Sequence, residues 1–311
     1  MLCFLFFRRF SLLCATGFLG IVLSNWTHDA TAADASKTIL ASGSSSRTAK
    51  REAVEAIPLH RLTIAHREAV NECVRSTTLY RRLPVQTVAC HPDLLEFSLH
   101  HPDSIVDIWR VLNISKLSLD SLGPDQWRFA DGYGTVGTFH LIYQEKGLLL
   151  FLGRGAYNGS LAPKVLSGTC MLLVRHQPLQ GEVGAVHKES LQIDTFLNMD
   201  GAGLEFVTRT LQPLIMLSAS HNVHEISLFI SALSEAARKN PAGVAALANQ
   251  LDRVNAVERE QLAHIARTIG GDERQARLSL DEVTVNRMNF ELASRWISAD
   301  ELEKQGPSPM R

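Results

Sequence analysis

Residues 219–237, ASHNVHEISLFISALSEAA, carry apolar side chains at the spacing of an α-helix. At about 100° of rotation per residue, six of these side chains fall within about 80° of one another and form one apolar stripe. The stripe consists of Ala219, Val223, Ile226, Ile230, Leu233 and Ala237. It predicts a helix that packs against a sheet or another helix, and we expect the chain to be organised around it.

The same spacing of apolar residues continues upstream to Gly203, which extends the predicted helix over residues 203–239. Pro213 lies inside this range, and a proline in a helix interior has no amide hydrogen to donate. We therefore expect a helix that is bent, or divided into two pieces, near Leu211.

Short segments that favour β-structure, separated by turn residues, fill the middle of the chain. A short helix after Ile64 and a strand over 85–90 come first, and two short helices over 94–99 and 102–113 follow. Six further strands cover residues 116–122, 127–130, 135–144, 148–156, 168–176 and 191–199. Their connections are short, so we expect a mostly antiparallel sheet in an α+β domain over residues 51–239.

After the long helix, Asn240 and Pro241 have the pattern of a helix start. Apolar residues at helical spacing then predict one accessory helix over 240–271, which Gly270 and Gly271 end. In the tail over 272–311, the alternation from Leu278 onwards predicts a strand or a docking arm.

The order of these elements resembles the helix-grip arrangement of the START-like superfamily. The resemblance covers residues 85–239 and concerns the order of the elements, without a diagnostic residue motif. It implies a curved sheet that wraps the long helix, with an apolar cavity between them. The bend expected at Pro213 departs from the simplest version of this pattern.

The composition is that of a globular chain, and the formal net charge is -1. No basic excess therefore argues for nucleic acid or an anionic membrane as a bulk partner. Residues 1–32 have the pattern of a secretory signal peptide, with Arg8 and Arg9, an apolar run and a small-residue cleavage site. The sequence predicts an exported protein, periplasmic or extracellular, or alternatively one anchored in the membrane by this segment.

Residues 33–50 are rich in Ala, Ser, Thr and Gly, which predicts a flexible linker. Cys90 and Cys170 lie in predicted strands, either as buried thiols or as a cross-strand disulfide. Residues 153–159, GRGAYNG, lack the spacing of a nucleotide-binding loop and predict a tight turn.

Histidines and carboxylates give no catalytic or metal-binding signature. His221, His224 and Glu225 lack the spacing of a zinc protease motif and lie opposite the apolar stripe, which predicts a surface position. His101 precedes Pro102 and is interpreted as a helix-start residue, although a remote partner stays open. We expect no metal ion and no cofactor.

The sequence therefore predicts a non-catalytic exported protein that binds an apolar small molecule, a lipid or an envelope protein partner. The alternative is an enzyme, similar to a cyclase or hydrolase, that uses the same cavity. In either case four polar residues are the candidates for the cavity lining: Asp131, Tyr133, His140 and Tyr157. The first two belong to DGYGT, residues 131–135, which predicts a hairpin turn.

Overall fold

The structure is a computed structural model that describes residues 43–159, 165–180, 187–200 and 212–276 of the 311. The described residues form an α+β fold with one large antiparallel sheet of eight strands and seven α-helices. The predicted fold class is confirmed at this level. The chain divides into two compact units, of which the first contains most of the sheet and the second contains mostly helices.

The sheet strands run in chain order as follows: β1 Leu79–Arg82, β2 Gln86–Val88, β3 Ser118–Gly123, β4 Gln126–Ala130, β5 Thr135–Glu145, β6 Leu148–Tyr157, β7 Leu166–Pro178 and β8 Glu189–Met199. Their order across the sheet is β1-β8-β7-β6-β5-β4-β3, and β2 also pairs with β8. The six later strands predicted from the sequence are therefore confirmed. The strand predicted over 85–90 is shorter than expected, and β1 was not predicted.

The helices are α1 Arg47–Glu55, α2 Ile64–Arg75, α3 Pro92–His100, α4 Pro102–Val111, α5 Gln212–Lys239, α6 Pro241–Asn249 and α7 Ala256–Ala276. A short 3₁₀ helix, Leu59–Arg61, precedes α2. The start of α1 lies inside the segment predicted as a flexible linker. Ser46 explains this difference, because its hydroxyl accepts a hydrogen bond from the Ala49 amide at 3.1 Å and caps the helix.

Alternate residues of the antiparallel strands point to opposite faces of the sheet. On one face, which we call the helix face, sheet residues pack with buried residues of α1, α2 and the segment between them. The sheet contributes Tyr80, Leu150, Met171, Leu173 and Phe196, and the helical layer contributes Ala49, Ala53, Ile57, Leu62, Val70 and Cys73. Helices α1 and α2 therefore cover this face.

The opposite face, which we call the aromatic face, carries a row of buried rings from β4, β5 and β6. Trp127 stacks on Phe139 with ring centroids 5.1 Å apart, and Phe139 meets Phe151 edge to face at 6.1 Å. Phe129, two residues after Trp127, lies on the same face and is almost fully buried. Such offset and edge contacts are the arrangements that aromatic rings favour.

Two glycines make room for this aromatic row. A Cβ atom on Gly137 would lie 2.4 Å from the Phe129 ring, and one on Gly153 would lie 2.9 Å from the Cβ of Phe139.

The prediction of a tight turn over 153–159 was wrong for residues 153–157, which continue β6. In this strand the glycines serve close packing against the neighbouring strand.

The long helix α5 runs without interruption from Gln212 to Lys239. All six residues of the predicted apolar stripe are buried, which confirms the stripe. Pro213 is in the first turn, where no helical amide is required of it. The bend expected near Leu211 and the upstream part of the predicted helix lie outside the described residues.

The accessory helix predicted over 240–271 is two helices, so this prediction was wrong. Asn240 caps α6 as expected, with its Oδ1 accepting from the Gly243 amide at 2.9 Å. A second cap follows, where Asn255 Oδ1 accepts from the Glu258 amide at 2.9 Å. Gly270 does not end α7, which continues to Ala276. A Cβ at Gly270 would lie 2.5 Å from Pro241 Cγ, so the glycine lets α6 and α7 pack closely.

The remaining predictions concern the cysteine pair, the signal peptide, the tail strand and a membrane anchor. Cys90 is a buried thiol just beyond β2, so a disulfide between Cys90 and Cys170 is contradicted. The signal peptide and the tail strand predicted from Leu278 onwards lie outside the described residues. Among the helices in the ranges described above, none combines the length and apolar character needed to cross a membrane.

Candidate functional site

The predicted hairpin at residues 131–135 is present between β4 and β5, and Asp131 holds it together. Asp131 Oδ1 accepts hydrogen bonds from the backbone amides of Tyr133 at 2.7 Å and Thr135 at 2.9 Å. The Asp131 side chain is therefore fixed by its own turn, as is typical of aspartate at such positions.

The second carboxylate oxygen of Asp131 is different. Asp131 is only 5% exposed, and its Oδ2 is buried. This oxygen nevertheless accepts no hydrogen bond from the part of the chain that the structure describes. Thr135 is 7% exposed, and its buried hydroxyl likewise has no hydrogen-bond partner among the described residues. An unsatisfied buried polar atom costs about 1–3 kcal/mol, so two of them four residues apart require an explanation.

Tyr157 lies at the same end of the sheet. It is directly opposite Thr135 in the β5–β6 register and is buried. Its ring lies against Gly159, where an added Cβ would be 2.3 Å from the ring carbon Cζ. We call Asp131, Thr135 and Tyr157 the turn site, and it closes one end of the aromatic face.

The structure does not bring the fourth predicted residue to this place. His140 is five residues after Thr135 in a regular stretch of β5 and pairs with Leu152. An odd separation along a strand places the two side chains on opposite faces, so His140 belongs to the helix face. Asp131, Tyr133 and Tyr157 thus share one end of the sheet, whereas His140 is separated from them.

The sequence did not identify a polar cluster of the sheet that surrounds Asp194 on the helix face. This carboxylate is fully buried. Its Oδ1 accepts hydrogen bonds from the Tyr80 hydroxyl at 2.5 Å and from Arg82 Nε at 2.9 Å, and its Oδ2 accepts from Arg175 at 2.5 Å. Both oxygens are therefore satisfied by side chains of two neighbouring strands.

Two groups of this cluster, Tyr80 and Arg82, have raised pKa values. Burial and the hydrogen bond to Asp194 raise the pKa of the Tyr80 hydroxyl far above its usual value. Burial lowers the pKa of Arg82, but hydrogen bonds to Glu52 and Asp194 outweigh it and raise the net value. We interpret this cluster as structural, because each charge has a protein partner.

The histidines of α5 do not meet in one site. His221 lies 3.4 Å from Glu225, one turn along the helix, and His224 Nδ1 is 2.9 Å from the side-chain oxygen of Gln86. His224 is half-buried, and its partner Gln86 belongs to β2. The sequence predicted a surface position for His224 and did not predict this contact.

A separate group in the helical unit combines a histidine and two carboxylates. Possible ligand atoms of His101, Asp103 and Glu258 all lie within 4.8 Å of one another, and no other such group occurs within the described ranges. His101 is at the start of α4, as the sequence predicted, while Asp103 and Glu258 are in the first turns of α4 and α7.

The environment of this group shifts the pKa of one carboxylate. Burial raises the pKa of Glu258, and hydrogen bonds from Asn255 and Ser104 only partly offset the effect. Asp103 is 4% exposed. His101 and Glu258 could not be paired from the sequence, because the two are far apart in the chain and α7 was not separated from α6.

No protein-family model matches the chain, and the curated proteins contain no match to it. Its function is therefore argued from the positions and chemistry of its own residues.

Proposed function

We propose that the chain is an exported, non-catalytic protein that binds an apolar small molecule with a hydrogen-bond-donating end at the aromatic face of its sheet. One observation carries the proposal, namely the buried Asp131 Oδ2 and Thr135 Oγ1, which bond to no residue described in the structure. A ligand hydroxyl or amine would supply the missing hydrogen to the carboxylate, and its apolar body would contact aromatic side chains.

The arrangement supports binding more than catalysis. Asp131 Oδ1 is occupied by two backbone amides, which orient Oδ2 rigidly, as a recognition group requires. The imidazole of His140, one of the four candidate polar groups of the enzyme alternative, belongs to the other face. A general base must come within hydrogen-bond reach of the reacting proton, so His140 and the turn site do not serve one reaction centre.

The helix-grip resemblance belongs to this proposal. The buried stripe of α5 and the large antiparallel sheet supply the two elements that such an arrangement needs. Export is proposed from residues 1–32 of the sequence. Cleavage after Ala32, detected by mass spectrometry of protein recovered outside the cytoplasm, is the expected result, whereas full-length protein in the membrane fraction would support the anchored alternative.

The ligand proposal is tested on the full chain by native mass spectrometry and solvent extraction, followed by titration with a fluorescent long-chain alcohol. We expect a co-purified apolar molecule and saturable probe binding. Asp131→Asn keeps the Oδ1 acceptor but removes Oδ2, and Thr135→Val removes the hydroxyl. Each should weaken probe binding about tenfold, which corresponds to one lost hydrogen bond to a buried group.

Thr138→Val is the matched control, since Thr138 is on the same strand but three residues from Thr135 and therefore on the opposite face. This variant should bind the probe like the unaltered chain. Protein that carries no extractable molecule and binds no probe would overturn the ligand proposal, as would an equal loss of binding in Thr138→Val.

A further inference from the structure

We infer that His101, Asp103 and Glu258 form a binding site for a divalent transition-metal ion of the zinc type. This inference is independent of the proposed ligand at the turn site. All three residues belong to the helical unit, and two separate helices supply them. The ion would link the start of α4 to the start of α7.

The distances fit a shared ion. Zinc binds imidazole nitrogen and carboxylate oxygen at about 2.0–2.2 Å, so two ligand atoms on one ion lie about 3–3.5 Å apart. His101 Nδ1 and Glu258 Oε1 are separated by 3.5 Å. The full set of ligand atoms lies within 4.8 Å, which small rotations of the side chains would close to bonding distance.

The chemistry of the three groups selects the class of ion. Imidazole together with carboxylates suits zinc and its neighbours among the transition metals, whereas calcium and magnesium prefer oxygen ligands alone. Two carboxylates also match the charge of a divalent cation. Three protein ligands would leave a coordination position for water, as in zinc sites that are not closed by four side chains.

The surroundings position the Glu258 carboxylate. Its Oε2 is buried, and its Oε1 accepts a hydrogen bond from Asn255 Nδ2. The adjacent cation, Arg259, donates to the carbonyl of Leu251 at 2.8 Å. Helix N-termini disfavour cations, so the positive ends of α4 and α7 oppose the ion and both carboxylates are needed to hold it.

The test uses the full chain after treatment with a chelator. Zinc is titrated by calorimetry, and cobalt is used as a spectroscopic probe because its absorption reports nitrogen and oxygen coordination. We expect one ion per chain and a rise in unfolding temperature with zinc concentration, because an ion that binds only the folded state stabilises it. His101→Ala and Glu258→Gln should each weaken binding at least tenfold and abolish the thermal shift.

Two matched controls are available nearby. His100→Ala alters the adjacent histidine, whose Nδ1 is 2.7 Å from the Glu96 carbonyl, and Glu260→Gln alters the next carboxylate of α7, which pairs with Arg267 at 3.0 Å. Both should bind zinc like the unaltered chain. Binding weaker than millimolar, or equal losses in the controls, would overturn the inference. If His101→Ala does not fold, zinc binding by Glu258→Gln, which preserves the shape of the side chain, is the result that supports or overturns the inference.

Discussion

Two buried aspartates of the same sheet have opposite surroundings. Asp194 is fully buried, and both of its oxygens accept hydrogen bonds from side chains on β1 and β7. Asp131 is nearly as buried, but only Oδ1 is bonded within the described residues, and only to amides of its own turn. Burial alone therefore does not separate a structural carboxylate from the one that we propose as a binding group, whereas the source of its hydrogen bonds does.

The difference follows from where each residue lies in the sheet. Asp194 is in the middle of a strand, directly opposite Arg82, so a cation from a neighbouring strand meets it by register. Asp131 is in a loop between paired strands, where backbone amides are the nearest donors. Asp131, held only by its turn, keeps one oxygen without a partner among the described residues, and the proposed ligand contact is based on this oxygen.

The largest effect is expected from Asp194→Ala. Removal of one member of a buried charge network leaves Arg82 and Arg175 without their common partner, which costs about 3–5 kcal/mol of unfolding free energy. Urea unfolding of the full chain measures this value. A loss below about 1 kcal/mol would show that the network is not structural and would remove the basis of the comparison.

A smaller loss is expected from Tyr80→Phe. The hydroxyl donates to Asp194 at 2.5 Å, and a hydrogen bond to a charged group contributes about 1.5–3 kcal/mol. The ring contact with Phe196, at 5.1 Å between centroids, is retained in the variant. Urea unfolding at neutral pH gives the change, and an unchanged free energy would contradict the assigned bond.

Much of the fold could be predicted because its signals are local. The apolar stripe of α5, the strands between residues 116 and 199 and the hairpin at Asp131 all follow from periodicity or turn residues within a short window. The wrong predictions concern contacts between distant residues. Gly153 was taken for a turn and Gly270 for a helix end, but Phe139 and Pro241 explain them.

The candidate site was predicted in part for the same reason. Asp131 was found from its turn motif, but Thr135 acquires significance only when its hydroxyl is seen to be buried beside Tyr157. Asp194 needs the pairing of β1 with β8, and β1 was not predicted. Strand register is set by the whole sheet, which a single sequence does not reveal.

The pH dependence sharpens the assignment of Tyr80. Its pKa is raised in the folded protein, so its stabilising contribution is complete below the unfolded value near 10 and is lost as the pH rises above it. The stability difference between the unaltered chain and Tyr80→Phe should therefore shrink above about pH 10. Cys73, whose pKa burial raises to about 11, also titrates there but is common to both proteins. A constant difference between them up to pH 11 would contradict the prediction.

The smallest effect is expected from Asp131→Asn, and it tests the other half of the comparison. The amide oxygen can take over both backbone hydrogen bonds of Oδ1, and Oδ2 has no donor to lose among the described residues. A buried amide is also less costly to desolvate than a carboxylate, so the unfolding free energy should change by less than about 0.5 kcal/mol. Asp131→Ala removes both turn bonds and should cost about 1–2 kcal/mol. Equal losses in the two variants would mean that Oδ2 has a partner within the folded chain, and Asp131 would then be structural in the same way as Asp194.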